Sequence, residues 1–152
     1  MQRAHRLGQR RRLRVAAQRV HHLLLVDRAS NSAVLYDVAT GALAASLSIP
    51  GYPTSIDISE DGTLAVVGHE FNVRKLTVID LVTQTVQGSY DTGADLFWQS
   101  VRITKDKSHA IASQLNEVCF INLATGALDA TISTGSPGDI ELTYDGAYAV
   151  VS

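Results

Sequence analysis

The chain has 152 residues, of which 45% are apolar, 18% charged and 6% aromatic, a balance that excludes wholesale disorder and permits an ordinary buried core. A single cysteine excludes an internal disulfide framework and a cysteine-based zinc cluster, and the lack of any run of 18 apolar residues argues against a transmembrane helix. The formal net charge of −2 hides a division, because seven arginines precede residue 20 while 6 basic and 15 acidic residues follow.

The first segment, residues 1–19, reads MQRAHRLGQRRRLRVAAQR and contains no acidic residue. It lacks the apolar core of a secretory signal and the serines of a transit peptide. Clustered arginine can neutralise nucleic-acid phosphates, but this segment has no interleaved aromatic residues and matches no recognisable module. We therefore interpret residues 1–19 as a disordered, solvated extension without nucleic-acid binding, and residues 20–152 as the folded part.

Three short strings recur along the folded part and indicate an internal repeat. Asp37, Asp80 and Asn122 open the strings DVATGAL, DLVTQTV and NLATGAL at intervals of 43 and 42 residues. A second marker recurs at intervals of 45 and 39 residues, as SEDG at 59–62, TKDK at 104–107 and TYDG at 143–146. A third, looser marker is GYP at 51–53, GAD at 93–95 and GSP at 135–137.

Each repeat period contains four short apolar runs. The runs are rich in Val and Ile and are bounded by Gly, Asp, Ser and Asn, a pattern typical of β-strands. Outside the first segment, no helical apolar stripe lasts 11 residues. In chain order, the predicted strands are 22–27, 33–38, 43–49, 54–59, 63–68, 75–80, 85–90, 99–104, 108–113, 117–122, 128–133, 138–143 and 147–151.

The turns between these runs agree with the strand prediction. In SEDG and TYDG the glycines Gly62 and Gly146 supply the positive φ that a tight hairpin needs. In the second copy Lys107 replaces that glycine, so we expect a less relaxed turn there. In the D-x-x-T-G strings, the leading Asp or Asn can accept hydrogen bonds from the backbone that follows.

Four strands in 40–45 residues is the spacing of a β-propeller blade. The strings LTVID at 76–80, TG at 125–126, TISTG at 131–135, SEDG at 59–62 and LAVV at 64–67 resemble the YVTN-type β-propeller repeat, in the quinoprotein amine dehydrogenase-like superfamily. The chain departs from that pattern at Glu60, where Pro is usual, and at Gln84 and Lys107, where Gly is usual. The rival WD40-like signature is represented only by Gly68-His69, without a Trp-Asp pair.

The predicted fold is therefore all-β, with about three four-stranded antiparallel blades of 40–45 residues. Propellers close with four to eight blades, so these blades form a partial arc and not a closed ring. The chain ends inside a predicted strand, and open blade ends need a cover. We expect the missing blades to come from the same longer chain, or from another subunit.

The resemblance implies that the strand at 54–59 and its copies line the central channel. At the middle of these strands lie Asp57, Arg102 and Glu141, each between two apolar residues. One interpretation is a charged channel lining that binds an ion or a polar ligand. The other, which the alternating sign favours, is a set of inter-blade salt bridges.

The middle copy carries the longest loops at one predicted mouth of the channel. One loop supplies His69, Glu70, Phe71 and Arg74, and the other supplies Asp95, Phe97 and Trp98. Inserted loops on a rigid repeat often bind ligands, and aromatic residues dominate contact energies. The alternative is that these side chains only cap the blade edge. One histidine gives little specificity for a metal, so we predict no metal site.

These observations favour a non-catalytic recognition or scaffold module, taken from a larger secreted, periplasmic or cell-surface protein. The location follows from the family resemblance alone. We expect a protein or small-ligand partner at the channel mouth, and no cofactor. The alternative is a segment of a propeller enzyme, either a lactonase-like hydrolase or an amine-dehydrogenase-like or haem-d1-like oxidoreductase, although no hydrolase elbow, phosphate-binding loop or haem-attachment string occurs.

Overall fold

The computed structural model describes residues 22–70, 73–91, 100–114 and 116–152. This part of the chain is built from short antiparallel strands, and it contains no helix long and apolar enough to cross a bilayer. The strands are β1 (His22–Asp27), β2 (Ser32–Asp37), β3 (Leu43–Ser48), β4 (Pro53–Ile58), β5 (Leu64–His69), β6 (Lys75–Asp80), β7 (Thr85–Asp91), β8 (Ser100–Ile103), β9 (His109–Ser113), β10 (Glu117–Asn122), β11 (Leu128–Ser133), β12 (Ile140–Leu142) and β13 (Ala149–Val151).

The strands form four sheets, each a meander of neighbouring antiparallel strands. The first sheet is β1-β2-β3, the second β4-β5-β6-β7, the third β8-β9-β10-β11 and the fourth β12-β13. This arrangement confirms the predicted all-β propeller with four-stranded blades and an open arc. The grouping differs from the repeat period, however, because the fourth strand of each period pairs with the strands of the next one.

The core lies between the sheets, in three separate apolar clusters. The first cluster joins β1–β3 to β4–β7 through Leu35, Val67 and Ile79. The second cluster joins β4–β7 to β8–β11 through residues that include Val66 and Ile121, and the third joins β8–β11 to β12–β13. Because successive side chains of a strand point to opposite faces, each middle sheet is packed on both sides.

The turns that enter β5, β9 and β13, which we call the S/T-x-D turns, share one hydrogen-bonding pattern. The hydroxyl of the leading Ser or Thr donates to the Asp two residues later, with O···O distances of 2.7, 2.7 and 2.6 Å. Gly62 and Gly146 take φ of 70° and 71°, and Lys107 takes φ of 59° at the same position. A side chain in this left-handed region costs about 1 kcal/mol, as expected for the turn without glycine.

Lys107 compensates for that backbone conformation with a contact to the neighbouring sheet. Its Nζ lies 2.6 Å from Oδ2 of Asp61, in the equivalent turn of the preceding blade. This ammonium group is the main reason why the pKa of the Asp61 carboxyl lies well below its usual range. The non-glycine residue at the turn thus links two blades that a glycine would leave unconnected at this point.

Candidate functional site

The β5–β6 connection, which the sequence predicts to lie at a channel mouth, is at one end of the first two sheets. The β3–β4 and β5–β6 connections meet there, because the N–H of Glu70 donates to the carbonyl of Tyr52 over 2.9 Å. Arg28, from the β1–β2 turn, places its guanidinium 5.1 Å from the centre of the Tyr52 ring. The same guanidinium lies 3.5 Å from a carboxylate oxygen of Glu70. Arg28, Tyr52 and Glu70, which we call the mouth cluster, therefore join the two sheets.

The backbone around the mouth cluster is held in a rarely adopted conformation. Asn31, Tyr52 and Arg74 have φ of 51°, 56° and 45°, although none of them is glycine. Such φ values are unusual for a bulky residue such as Tyr, and strained backbone of this kind is enriched at functional sites. Tyr52 nevertheless stays 48% exposed, so the fold presents this ring to its surroundings instead of burying it.

His69, the last residue of β5, lies beneath this surface and is completely buried. Its Nδ1 is 3.1 Å from the carbonyl of Gly51, and its Nε2 is 2.9 Å from the hydroxyl of Thr77. Since a carbonyl only accepts, Nδ1 carries the proton and Nε2 accepts from Thr77, which in turn accepts from the hydroxyl of Ser89 at 2.9 Å. Burial lowers the pKa of His69, which favours this neutral ring.

The sequence-predicted loop residues are therefore distributed between different environments. Glu70 lies in the mouth cluster, and Arg74, which is partly buried, directly precedes β6. His69 is turned into the protein, where its ring fixes Gly51 and not a surface group. Phe71, Asp95, Phe97 and Trp98 lie outside the described residues, so a binding role for these loops stays a prediction.

The three inner-strand charges lie on β4, β8 and β12, which are the first strands of consecutive sheets. Oδ2 of Asp57 accepts the N–H of Ile103 on the next sheet over 2.8 Å. Arg102 reaches forward in the same direction, and its Nη2 lies 3.4 Å from a carboxylate oxygen of Glu141. Burial raises the pKa of Asp57, whereas the N–H of Ile103 and the charge of Arg102 act in the opposite direction.

These contacts give Asp57 and Arg102 a partner on the following sheet, and they give Glu141 a partner on the preceding sheet. The Arg102–Glu141 pair is an inter-blade salt bridge, the interpretation that the alternating sign of the three charges favours. Asp57, in contrast, uses a backbone N–H and not the Arg102 side chain as its hydrogen-bond donor. A shallow cavity of ≈ 380 Å³ adjoins all three residues at the end nearer the S/T-x-D turns.

A second bridging cluster, at the opposite end of the sheets, was not singled out from the sequence. Nζ of Lys105 lies 3.4 Å from Glu60 on the preceding blade and donates to the carbonyl of Tyr144 on the following blade over 3.0 Å. It also lies 5.1 Å from the centre of the Tyr144 ring. The sequence did contain a signal for this cluster, because Glu60, Lys105 and Tyr144 are the second residues of the three S/T-x-D turns.

The described residues offer few groups for chemistry. Cys119 is buried, which raises the pKa of its thiol to about 11 and leaves it protonated and unreactive at neutral pH. Gln114 occupies the position equivalent to His69 in the next sheet, and its side-chain amide donates to the sulfur of Cys119. Among residues 22–70, 73–91, 100–114 and 116–152, no three His, Cys, Asp or Glu side chains converge as a metal site would require.

Sequence reasoning also missed Arg28 and Tyr52, which dominate the mouth cluster. The available signal was the string Gly51-Tyr52-Pro53, in which a large aromatic ring stands between two residues that favour turns. Its positive φ and its contact with Arg28 depend on how the first two sheets meet. That geometry is not visible in the local sequence.

Comparisons with known proteins agree with this architecture. The family model described as YNCE-like beta-propeller matches residues 7–98. Among solved structures, a chain of hydrazine synthase from Kuenenia stuttgartiensis superposes with a TM-score of 0.74 and 24% identity, over 86% of this chain and 40% of that chain. At this identity the likeness shows the fold alone, and this chain spans less than half of its neighbour. The comparison with curated proteins gave no match.

Proposed function

The chain belongs to the YNCE-like beta-propeller family, and on that basis we propose that it is a non-catalytic recognition module on a propeller scaffold. The observation that carries the proposal is the mouth cluster, where a half-exposed Tyr52 is held at positive φ by contacts from two sheets. An aromatic ring fixed in advance loses little conformational entropy when a partner packs on it. The sequence prediction adds Phe71, Asp95, Phe97 and Trp98, which lie outside the described residues, to this proposed binding surface.

The scaffold part of the proposal rests on how the charged side chains are used. Asp57, Arg102 and Lys105 each contact a neighbouring sheet, so their charges hold the arc together. Charged groups that already have partners on the protein are less available to an ion in the channel. This supports a framework that positions the mouth and weighs against a catalytic channel.

The proposal also includes the setting of the module. We place it in a larger secreted, periplasmic or cell-surface protein, on the basis of the family resemblance. The missing blades come from the same longer chain or from another subunit. The partner at the mouth is a protein or a small ligand that offers apolar surface to Tyr52 and polar groups to Arg28 and Glu70.

Binding to peptide and glycan arrays, followed by titration of each hit, tests the recognition role. Tyr52→Ala should weaken binding of a true ligand at least about tenfold, because hot-spot aromatic residues contribute that much or more. Tyr148→Ala is the matched control, since this exposed tyrosine lies at the opposite end of the sheets. Failure to find any ligand whose affinity depends on Tyr52 would contradict the proposal.

The second candidate, a segment of a propeller enzyme, is tested separately. The chain is incubated with simple lactones in the presence of divalent cations, and with primary amines and an artificial electron acceptor. We expect no turnover above that of buffer. Turnover that disappears in Asp57→Asn or Glu141→Gln would favour the enzyme, because those carboxylates adjoin the inner-strand cavity.

A further inference from the structure

The β8–β11 sheet contains a hydrogen-bonded row of a serine, a histidine and an aspartate. Nδ1 of His109, the first residue of β9, lies 2.7 Å from Oγ of Ser108, and its Nε2 lies 2.9 Å from Oδ2 of Asp129 on β11. The side chains of His109 and Asp129 are 29% and 43% exposed, so a small reagent can reach this part of the surface. We call Ser108, His109 and Asp129 the serine row.

A β-bulge in β11 gives the aspartate of the serine row its position. The residues on either side of Asp129 pair with consecutive residues of β10, so Asp129 is the extra residue of the bulge. Bulges re-aim side chains, and here the carboxylate is directed at His109. According to the strand registers, the equivalent positions of the β4–β7 sheet hold Thr63, Leu64 and Gln87. The two sheets therefore share a backbone, and of the two it is the β8–β11 sheet that carries the serine row.

The donors and acceptors define the direction of the row. The hydrogen bond from His109 is the main reason why the pKa of the Asp129 carboxyl is lowered, and because a carboxylate only accepts, Nε2 carries a proton. In a neutral imidazole ring, Nδ1 then has the lone pair and accepts the hydroxyl proton of Ser108. This is the relation between a nucleophilic hydroxyl and a general base that a third group orients.

Asp106 is a second acceptor at the same hydroxyl, because both of its carboxylate oxygens lie 2.8 Å from Oγ of Ser108. The backbone N–H of Ser108 is the main cause that lowers the pKa of Asp106 to about 2. A carboxylate with so low a pKa is a poor base, and an imidazole is a much better one. The hydroxyl proton therefore passes to His109 when Oγ forms a new bond.

Ser108 also lines a shallow cavity of ≈ 480 Å³ between the S/T-x-D turns that enter β9 and β13. Lys105 lines the same cavity and brings to it a cationic group, which favours the negative charge that an attacked carbonyl develops. The N–H of Ser108, in contrast, already donates to Oδ1 of Asp106 over 3.0 Å and does not serve that oxyanion. The cavity and the serine row together suit an acyl donor that is small and already activated, such as a thioester or an aryl ester.

We propose that Ser108 is an acceptor site for small activated acyl groups. Oγ forms a bond to the carbonyl carbon while the hydroxyl proton moves to Nδ1 of His109. The bond to the thiolate or aryl-oxide leaving group then breaks, and that group takes up the proton. The reaction stops at the ester on Ser108, because the N–H of this residue is committed to Asp106 and hydrolysis of an unactivated ester needs stronger stabilisation of the oxyanion.

Reaction of the full chain with p-nitrophenyl acetate at neutral pH tests this proposal. Peptide mass spectrometry locates the acetyl group, and absorbance measures the p-nitrophenolate released. We expect a single equivalent of p-nitrophenolate, and labelling of Ser108 at least about tenfold faster than labelling of Ser30. Ser30 is the matched internal control, because its hydroxyl also donates to a carboxylate, that of Asp27, but its other hydrogen-bond partner is the hydroxyl of Ser32 and not an imidazole.

The variants copy residues that the repeat already places in equivalent positions, so they are compatible with the fold. Ser108→Ala copies Ala147 of the last S/T-x-D turn and should remove the fast label. His109→Leu copies Leu64 and should slow the labelling about a hundredfold, because it removes the general base. Asp106→Asn should retain the fast labelling, since the imidazole and not this carboxylate takes the proton. Far-UV circular dichroism checks the fold of each variant.

Three outcomes would overturn the assignment of Ser108. They are labelling no faster than that of Ser30, fast labelling that persists in His109→Leu, and steady release of p-nitrophenolate that depends on Ser108, which would indicate hydrolysis. The assignment is independent of the proposed recognition role, because Tyr52→Ala should leave the labelling rate unchanged.

Discussion

The middle and end sheets contain the same repeat but differ in how many neighbours they have. The sheets β4–β7 and β8–β11 are covered on both sides, and their central strands are almost completely buried. Among the described residues, the first and last sheets each have a neighbouring sheet on one side, and equivalent apolar positions there are about half exposed. The difference shows that burial at a given repeat position is set by the neighbouring sheet and not by the residue type.

The largest expected effect comes from truncating the same position in a middle sheet and in an end sheet. Ile111→Ala should lower the free energy of unfolding by about 2–5 kcal/mol, because it removes buried methyl groups and leaves a cavity. Val150→Ala, at the equivalent exposed position, should change it by less than about 0.5 kcal/mol. Urea unfolding of the two variants measures the difference. Equal losses would mean that Val150 is also covered.

Charge reversal at the inner strand is the next largest effect. Arg102→Glu should lower the free energy of unfolding by about 1–2 kcal/mol, because it places a third carboxylate beside Asp57 and Glu141 and loses the ion pair. Thermal unfolding measures this loss.

A double variant provides the control for that reversal. Glu141→Arg in the Arg102→Glu background should recover part of the stability, since it restores opposite charges across the two sheets. Glu141→Arg alone should cost less than Arg102→Glu, because Glu141 is on the open end of the series. Unchanged stability in Arg102→Glu would contradict a structural role for the contact between Arg102 and Glu141.

The two middle sheets should also differ in their response to acid. His69 has a lowered pKa when folded, so the unfolded chain binds more protons below the ordinary histidine pKa of about 6.5. The stability contributed by neutral His69 is therefore complete above that pH and is lost as the pH falls below it. His69→Gln, which copies Gln114 of the next sheet, should remove this part of the pH dependence.

Denaturant midpoints between pH 5 and 8 test the His69 prediction in the unchanged chain and in His69→Gln. The remaining histidines serve as an internal control, because they are identical in both proteins. A slope that persists unchanged in His69→Gln would assign the pH dependence to another group.

The smallest effect compares the two turns in which a non-glycine residue takes positive φ at a glycine position. Gln84→Gly should raise the free energy of unfolding by about 0.5 kcal/mol, because glycine removes the steric cost of its φ of 56°. Lys107→Gly should gain less, since it also loses the contact with Asp61. Differential scanning calorimetry of both variants decides whether the contact with Asp61 offsets the steric cost of the positive φ at Lys107. A larger gain for Lys107→Gly would show that it does not.

The sequence predicted the strands well because their signals are local. Short apolar runs bounded by turn residues mark where the strands begin and end, and Lys107 adopts the glycine conformation that its position requires. It did not show which four strands share a sheet, since consecutive hairpins look alike until a face is buried. The grouping of the strands into blades is therefore decided by tertiary packing.

The candidate functional site was less predictable from the sequence, because it too depends on tertiary contacts. His69 looked like a loop residue available to a ligand, but it ends β5 and its ring is enclosed by Gly51 and Thr77. Asp57 looked like a partner for the Arg102 side chain, but the N–H of Ile103 is its nearest donor. Both outcomes depend on contacts between elements that are distant in sequence.

Because its three apolar clusters each join only two adjacent sheets, the arc behaves thermodynamically like a one-dimensional chain of coupled units. In such a chain the terminal units have one coupling term and the inner units have two, so unfolding starts by fraying at the ends. Any contact that joins the two ends removes both frayed termini at once. Ring closure would therefore raise the cooperativity of the whole array far more than the same contact area placed elsewhere.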